Sequence, residues 1–434
     1  MIAQGGGLPG QTSRFFGRSQ EAAAVKGALA RARLVTLTGP GGIGKTRLAV
    51  RVAAEVAPLF PDGVFVADLS AARDAADVAR TVASVLGLVP EPDNGTSPGD
   101  LARGQRAVAR LAASLGPRPL LLILDTAEHV ADACAELADA ILRGGDGPVL
   151  LVTSRQVLDL PGEMVFRIPP LAVDADAVRL FADRAAAAVP GFELSHGTRP
   201  KVVRLCRLLD GIPLAIELAA LRLRAVSLDE LLARLPGQLR LLTSGRRAAA
   251  GDRQRSLGAS VGWSYALCTP AEQLLWTRLS AFRDGFDLAA AEAVCGPVVP
   301  GEQDDLGAPG VLETLIGLVD KSVVLRAADT GGTARYRLFA IAAEYGAEHA
   351  ADAAVRAGRH RAHYQGVARA FAASFAGPGQ AELVHGLTPD QANLRLAFDA
   401  AVAAGDAAAA LELAAACWPW LVCTDRLAEA GSWL

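Results

Sequence analysis

The stretch Leu34-Val-Thr-Leu-Thr-Gly39-Pro-Gly-Gly-Ile-Gly44-Lys45-Thr46-Arg47-Leu-Ala49 runs from a β-rich segment through a glycine cluster into a helical pattern that lasts to Ala57. Its centre, Gly39 to Thr46, has the spacing GxxxxGK[ST] of a phosphate-binding loop. Glycines let backbone N–H groups close around phosphate oxygens, and the following helix offers the positive end of its dipole. Lys45 is placed to reach β- and γ-phosphates, and the Thr46 hydroxyl to ligate Mg²⁺. Gly39, Gly41, Gly42, Ile43, Gly44, Lys45, Thr46 and Arg47 are therefore the expected nucleotide contacts, with ATP or ADP and Mg²⁺ as the expected cofactors. The other reading is a glycine-rich turn that merely joins strand to helix.

Outward from this loop, strand-like runs recur at Val64–Leu69, Leu120–Leu124, Val149–Thr153 and, more weakly, Met164–Ile168. Helical patterns near 74–86, 101–114 and 127–143 separate them. Strands alternating with helices of this size predict parallel βαβ units and a doubly wound α/β sheet, closed at Pro169-Pro170. Leu120-Leu-Leu-Ile-Leu-Asp125 is an apolar strand ending in a carboxylate, the form of a Walker B strand. Asp125 would hold Mg²⁺ with Thr46, or else cap a helix. The next residue is Thr126, where many hydrolytic P-loop enzymes carry a second acid, so fast hydrolysis is not expected. Glu128 either polarises water or favours the first turn of the next helix. Arg155, at the end of the strand Val149–Thr153, is positioned to sense a γ-phosphate, although the chain has many other arginines.

The chain has 434 residues, 51% of them apolar and 21% charged, which excludes global disorder and predicts several domains. Its 43 basic and 46 acidic residues argue against a coating for nucleic acid or anionic membrane. Thirty-nine of the basic residues are arginine and only four are lysine, a coding bias against which Lys45 stands out. The six cysteines show no metal spacing and read as buried hydrophobes in a reducing cytosol. The longest apolar run, Leu413 to Cys423, is too short to span a bilayer and contains Pro419. A cytoplasmic protein is expected, without a membrane partner.

Residues 1–170 thus form the expected nucleotide-binding domain. Helical periodicity at 174–187, 199–209, 212–224 and 227–235 predicts a helical domain over 171–245. The polar segment Ser244 to Arg255 reads as a linker. Helices, then Ser322–Arg326 and Arg335–Leu338 around Asp329-Thr-Gly-Gly, fit a winged helix over 246–350. Residues 351–434 are helical and alanine-rich, with one αα repeat at 390–434, and the stop at Trp433-Leu434 without a polar cap suggests a fragment.

Phe16-Gly17-Arg18-Ser-Gln-Glu21, the segment from Arg33 to Ala49, Leu124-Asp-Thr-Ala-Glu-His129, Val152-Thr-Ser-Arg155, Leu209-Asp-Gly-Ile-Pro-Leu-Ala-Ile-Glu-Leu-Ala-Ala220 and Arg335-Tyr-Arg-Leu338 together resemble STAND-class P-loop NTPases. More closely, they resemble the NB-ARC-type module of AfsR-like and large LuxR-type bacterial transcriptional regulators. The resemblance implies a nucleotide-binding domain, a helical domain, a winged helix and TPR-like helices. It also implies that Phe16, Gly17 and Arg18 line the adenine side, that Arg155 is the sensor arginine and that Pro213 packs on adenine. Two departures stand out. Thr126 replaces the Asn common after the Walker B Asp, and Leu338-Phe339-Ala340 lacks the His-Asp pair that can touch ADP. His360 and His363 lie too far along the chain to stand in for that pair.

The expected function is a nucleotide-dependent switch with Lys45, Asp125, Glu128 and Arg155 at its centre. Exchange of ADP for ATP·Mg²⁺ would open the modules and promote assembly, biased by a regulatory protein or ligand on the C-terminal helices. DNA would be reached only through a domain not evident in the chain. The alternatives are a turnover ATPase, a nucleotide-binding scaffold, and direct DNA binding by the winged helix aided by Arg246, Arg247, Arg253 and Arg255.

Overall fold

A computed structural model describes residues 8, 14–88, 100–116, 118–235, 257–297, 310–327, 332–424, 431 and 433. The chain divides into two units, residues 1–260 with 320–322, and residues 261–319 with 323–434.

The first unit opens with α1 (Ser19–Leu29), β1 (Leu34–Thr38), α2 (Lys45–Val56), β2 (Val64–Asp68), α3 (Ala75–Val85) and α4 (Asp100–Leu115). There follow β3 (Leu121–Asp125), α5 (Ala131–Gly144), β4 (Val149–Thr153) and β5 (Glu163–Arg167). The five strands form one sheet in the order β2-β3-β4-β1-β5, and every pairing is parallel. β1 and β3 are buried along their whole length, as strands covered by helices on both faces must be. β1 is legible as a β-rich run, Leu-Val-Thr-Leu-Thr, and β3 as an apolar run that ends in Asp125. The register aligns the strand ends, pairing Asp68 with Asp125, Leu124 with Val152, and Leu37 with Thr153. The loops that leave β1, β3 and β4 therefore emerge at one edge, where ligands of open α/β sheets bind.

One boundary differs from the sequence reading. The pattern at 127–143 predicts a helix from Ala127, whereas α5 begins at Ala131. Thr126 adopts the left-handed region at φ 63°, its N–H donates to Thr153 Oγ1 (3.0 Å), and the Ala127 N–H donates to Thr153 O (3.0 Å). The backbone is pinned to β4 before it can wind into a helix.

Four helices complete the unit: α6 (Asp176–Ala188), α7 (Arg199–Leu208), α8 (Pro213–Arg222) and α9 (Leu228–Arg234). α8 packs on α6, and Arg184 of α6 donates to Glu217 of α8 (3.1 Å). Gly211 sets the start of α8. Its φ is 63°, Leu171 N–H donates to its carbonyl (3.0 Å), and an added Cβ would lie 2.4 Å from Leu171 O.

The second unit contains α10 (Leu257–Ala266), whose first residues count with the first unit, then α11 (Pro270–Leu279), β6 (Phe286–Asp287) and α12 (Leu288–Cys295). α13 (Gly310–Asp320), β7 (Val324–Arg326), β8 (Arg335–Leu338) and α14 (Ala340–Glu348) follow. The last helices are α15 (Ala353–Phe375), α16 (Gln380–Leu387), α17 (Gln391–Ala403) and α18 (Ala407–Cys423). The three short strands form an antiparallel sheet in the order β6-β8-β7. Buried Trp276 donates from Nε1 to Ala342 O (2.8 Å), tying α11 to α14. Arg278, Arg356 and Arg359 cap the last carbonyls of α12, at Cys295 O (2.9 Å), Val294 O (3.0 Å) and Gly296 O (2.7 Å) respectively. Cations at a helix C-terminus complement its dipole, and Asp352 accepts from both Arg278 and Arg356 (3.2 and 2.7 Å).

Among the described residues, no helix is long and apolar enough to cross a membrane. Cys134, Cys206, Cys268, Cys295 and Cys417 are buried free thiols, and Cys423 is exposed. The linker Ser244–Arg255 with Arg246, Arg247, Arg253 and Arg255, and Asp329-Thr-Gly331 of the hairpin turn, lie outside the described residues.

Gly211 and Gly162 offer a matched test of the backbone argument. Both have positive φ, but a Cβ on Gly162 meets nothing within 4 Å. Gly162→Ala should cost about 1 kcal/mol from its left-handed backbone alone. Gly211→Ala should cost about 2–4 kcal/mol, because the clash with Leu171 O adds to the same strain. Chemical denaturation of the two variants checks the difference.

Candidate functional site

The phosphate loop fills the turn between β1 and α2. Gly39, Gly42 and Gly44 have φ of 150°, 78° and 97°, conformations that a side chain resists, and Ile43 is buried beneath the loop. Lys45 Nζ folds back to donate to Gly39 O (2.8 Å) and Pro40 O (3.2 Å). Burial lowers the Lys45 ammonium to about 8, with Arg155 lowering it further and Glu128 and Asp125 opposing. Phosphate oxygens at the loop would supply the negative charge that the buried ammonium lacks.

Asp125 is buried at the end of β3, and one of its oxygens, Oδ1, accepts two hydroxyls, from Thr46 (2.6 Å) and Thr153 (2.5 Å). Burial raises its carboxyl, and those two hydrogen bonds hold it back. Thr46 and Asp125 present hard oxygen donors side by side, a pair that fits Mg²⁺. Mg²⁺ held there would neutralise phosphate charge.

Glu128 and Arg155 form a buried pair, with Arg155 Nε donating to Glu128 Oε1 (2.9 Å). Burial works to raise the Glu128 carboxyl, but Lys45, Arg155 and the hydrogen bond bring it below the usual range. Glu128 Oε2 is buried with no hydrogen-bond partner. The outer nitrogens of Arg155 donate to Ser260, Nη1 to its carbonyl (2.7 Å) and Nη2 to its hydroxyl (3.3 Å).

These groups surround a cleft of about 210 Å³ lined by Gly41, Gly42, Gly44, Lys45, Thr46, Arg47, Thr126, Glu128, Thr153, Arg155, Pro213, Leu214, Glu217 and Ser260. α8 closes one wall, since Leu214 N–H donates to Gly42 O (3.2 Å) and sets Pro213 at the rim. Arg47 lies over the Phe15 ring (5.6 Å) and 3.6 Å from Glu217.

The expected residues separate into two groups. Nine line the cleft: Gly41, Gly42, Gly44, Lys45, Thr46, Arg47, Glu128, Arg155 and Pro213. Asp125 stands behind Thr46, while Gly39 and Ile43 shape the loop from beneath. Phe16 and Gly17 lie outside the lining, beside Arg14 and Asp176 respectively. Arg18 is buried and spent on backbone, donating to Pro169 O and to Ile43 O (3.2 Å), and it also pairs with Glu21 (3.0 Å). It braces the loop from behind. Sequence reasoning did not single out Thr153, Glu217 or Ser260. Glu217 had a readable signal, one helical turn after Pro213 on the same face. Ser260 had none.

Fold and site together define a P-loop NTPase, and a protein-family model described as AAA domain matches residues 29–160. The chain is 39% identical over 415 residues to "Putative HTH-type transcriptional regulator Rv0890c" of Mycobacterium tuberculosis (strain ATCC 25618 / H37Rv), covering 94% of this chain and 44% of that protein. It therefore spans less than half the length of that relative. It is 30% identical over 347 residues to "Regulatory protein AfsR" of Streptomyces coelicolor, with 76% and 32% covered. To the uncharacterized protein Rv0894 of the same M. tuberculosis strain it is 37% identical over 334 residues, with 77% and 80% covered. The chain belongs to the family of Rv0894, a family of AAA-domain P-loop NTPases homologous to AfsR-like regulators.

Two outcomes follow from the lysine. Lys45→Ala should weaken ADP binding by about 10–100-fold, the loss of a charge-assisted hydrogen bond to phosphate. In wild type without added metal, ADP affinity should be flat below pH 8 and fall above it, by up to about tenfold per pH unit, because the empty site releases the Lys45 proton that bound phosphate retains. Lys45→Gln should abolish that slope. Calorimetric titrations from pH 7 to 9.5 measure both.

Proposed function

We propose that the chain is the ATP/ADP-operated switch module of a bacterial transcriptional regulator, a STAND-type, NB-ARC-like core in which the identity of the bound nucleotide, rather than turnover, is the signal. One observation carries the reading. The loop, Lys45 and the Thr46–Asp125 pair suit Mg²⁺-nucleotide binding, yet Thr126 stands where a second acid would be and Glu128 is committed to Arg155. A site with strong binding groups, no acid directly after Asp125, and a Glu128 carboxyl that Lys45 and Arg155 hold below its usual range, and so a weak base, favours long-lived nucleotide states. Pro213 at the rim supports the assignment of that wall to the base, and the regulator homologues support the transcriptional setting. The reading places the protein in the cytoplasm.

Elements of the second unit support its reading as a winged helix and the start of a TPR-like array. α12 and α13 precede an antiparallel β7–β8 pair, and α15, α17 and α18 pack on one another. Direct DNA binding by α13 is disfavoured by its surface. Its exposed residues are Leu312, Glu313, Ile316 and Asp320, two aliphatics and two acids, with no arginine or lysine to meet phosphates. We assign DNA contact in the full-length relatives to other parts of their chains. Self-association or regulatory partners would act through the C-terminal helices.

The purified protein should carry ADP identifiable by mass spectrometry, and its steady-state hydrolysis should stay below roughly one turnover per second, at the slow end of enzymes. Faster turnover would overturn the switch reading. Absence of nucleotide binding, or binding unaffected by Lys45→Ala, would leave only a scaffold.

A further inference from the structure

The two outer nitrogens of Arg155 are answered by two oxygens of a single residue, the carbonyl and hydroxyl of Ser260 (2.7 and 3.3 Å). Two oxygens of one terminal phosphate would offer an arginine fork the same bidentate arrangement. Ser260 is also seated on the phosphate loop. A Cβ on Gly41 would lie 1.8 Å from Ser260 Oγ and 2.9 Å from Arg155 Nη2, so serine, arginine and loop converge at one point. Ser260 is buried and lines the same cleft as Lys45 and Thr46. Behind the fork, Glu128 holds Arg155 by Nε, which fixes the plane of the guanidinium and leaves its outer edge as the exchangeable side.

We propose that Ser260 is a specificity-determining residue of the nucleotide site, an internal stand-in for the γ-phosphate. Its two oxygens occupy Arg155 when no third phosphate is present, and a nucleoside triphosphate must displace them while a diphosphate need not. The inference rests on the nucleotide-switch reading and adds the group that tells the two nucleotides apart. The physical order of preference favours exchange. A doubly charged phosphate is a stronger acceptor for guanidinium than a neutral carbonyl and hydroxyl, and the buried Glu128 anchor need not break. Ser260 lies in the first turn of α10 and ends the continuous stretch 1–260 of the first unit, so its release frees the point where the chain first leaves that unit.

The test compares affinities for ADP and for the ATP analogue with an imido β–γ bridge, each with Mg²⁺, by calorimetry. Ser260→Ala removes one of the two competing oxygens and should tighten analogue binding about three- to tenfold while leaving ADP unchanged. Arg155→Ala should weaken the analogue at least tenfold and ADP little, and adding Ser260→Ala to Arg155→Ala should then change nothing. In the wild-type chain, amide exchange over residues 257–266 should rise with the analogue and not with ADP, a readout that needs no variant. Unchanged analogue affinity in Ser260→Ala, an equal change for both nucleotides, or identical exchange in the two complexes would overturn the proposal and leave the switch reading standing. Failure of wild type to bind either nucleotide would overturn both.

Discussion

The carboxylate of Asp125 is the constraint on which the nucleotide-binding unit is arranged. It is buried at the end of a fully buried strand, where an ionised group without partners would be costly. Its Oδ1 takes a hydroxyl from Thr46, at the start of α2, and another from Thr153, at the end of β4. Those bonds form only if β3 and β4 keep their register and the loop after β1 delivers α2 to the same edge. The partner threonines do further work. Thr153 Oγ1 also accepts the Thr126 N–H, and that bond holds the left-handed turn by which Glu128 reaches the cleft. A buried acid thereby couples sheet register, loop position and the placement of a second acid three residues on.

The parts of this arrangement that were legible in the sequence are those encoded locally. A parallel strand buried on both faces is rich in β-branched and apolar residues, so Leu34–Thr38 and Leu121–Asp125 could be read directly. Gly39 to Thr46 could be read because backbone closure around phosphate demands residue types at fixed spacing. The start of α5 is not legible, because the pattern after Asp125 is helical while the bonds that stop a helix there come from Thr153, 27 residues downstream in the hydrogen-bonded pair with Thr126. Arg18 was read by resemblance as lining the adenine side, and its burial against Ile43 O and Pro169 O depends on the return of the chain after β5. Ser260 has no local pattern, and its closeness to Gly41 exists only in three dimensions.

The arginine-rich composition also takes on a physical meaning. Several of these side chains are directed at main-chain carbonyls. Arg33 donates to Leu142 O (2.5 Å) and Gly145 O at the end of α5, and Arg278, Arg356 and Arg359 gather on the last turn of α12. Arg335 takes Pro389 O (3.1 Å) and Asp390 (2.7 Å). A guanidinium carries five donors in a plane and is more weakly hydrated than an ammonium, which suits it to terminating helices inside a packed interior. Near-neutral net charge and abundant arginine are compatible because 46 acidic residues balance 43 basic ones. Other arginines, such as Arg80, Arg143 and Arg179, are exposed and pair with acids on their own helices, and α13 contains none.

The same chemistry explains why the cleft uses one lysine and one arginine in different places. Lys45 must bend over the loop to reach the carbonyls of Gly39 and Pro40, and a compact ammonium on a flexible stem can exchange those acceptors for phosphate oxygens with little movement. Arg155 has the opposite requirement. It must be held on one edge by Glu128 and offer two parallel donors on the other, which an ammonium cannot do. In the proposed switch lysine would answer whether phosphate is present at all, since its contacts lie within the loop. Arginine would answer how far the phosphate chain extends, since its outer nitrogens meet the cleft where Ser260 sits. If the two questions are assigned to separate side chains in this way, nucleotide retention and nucleotide discrimination can be altered independently.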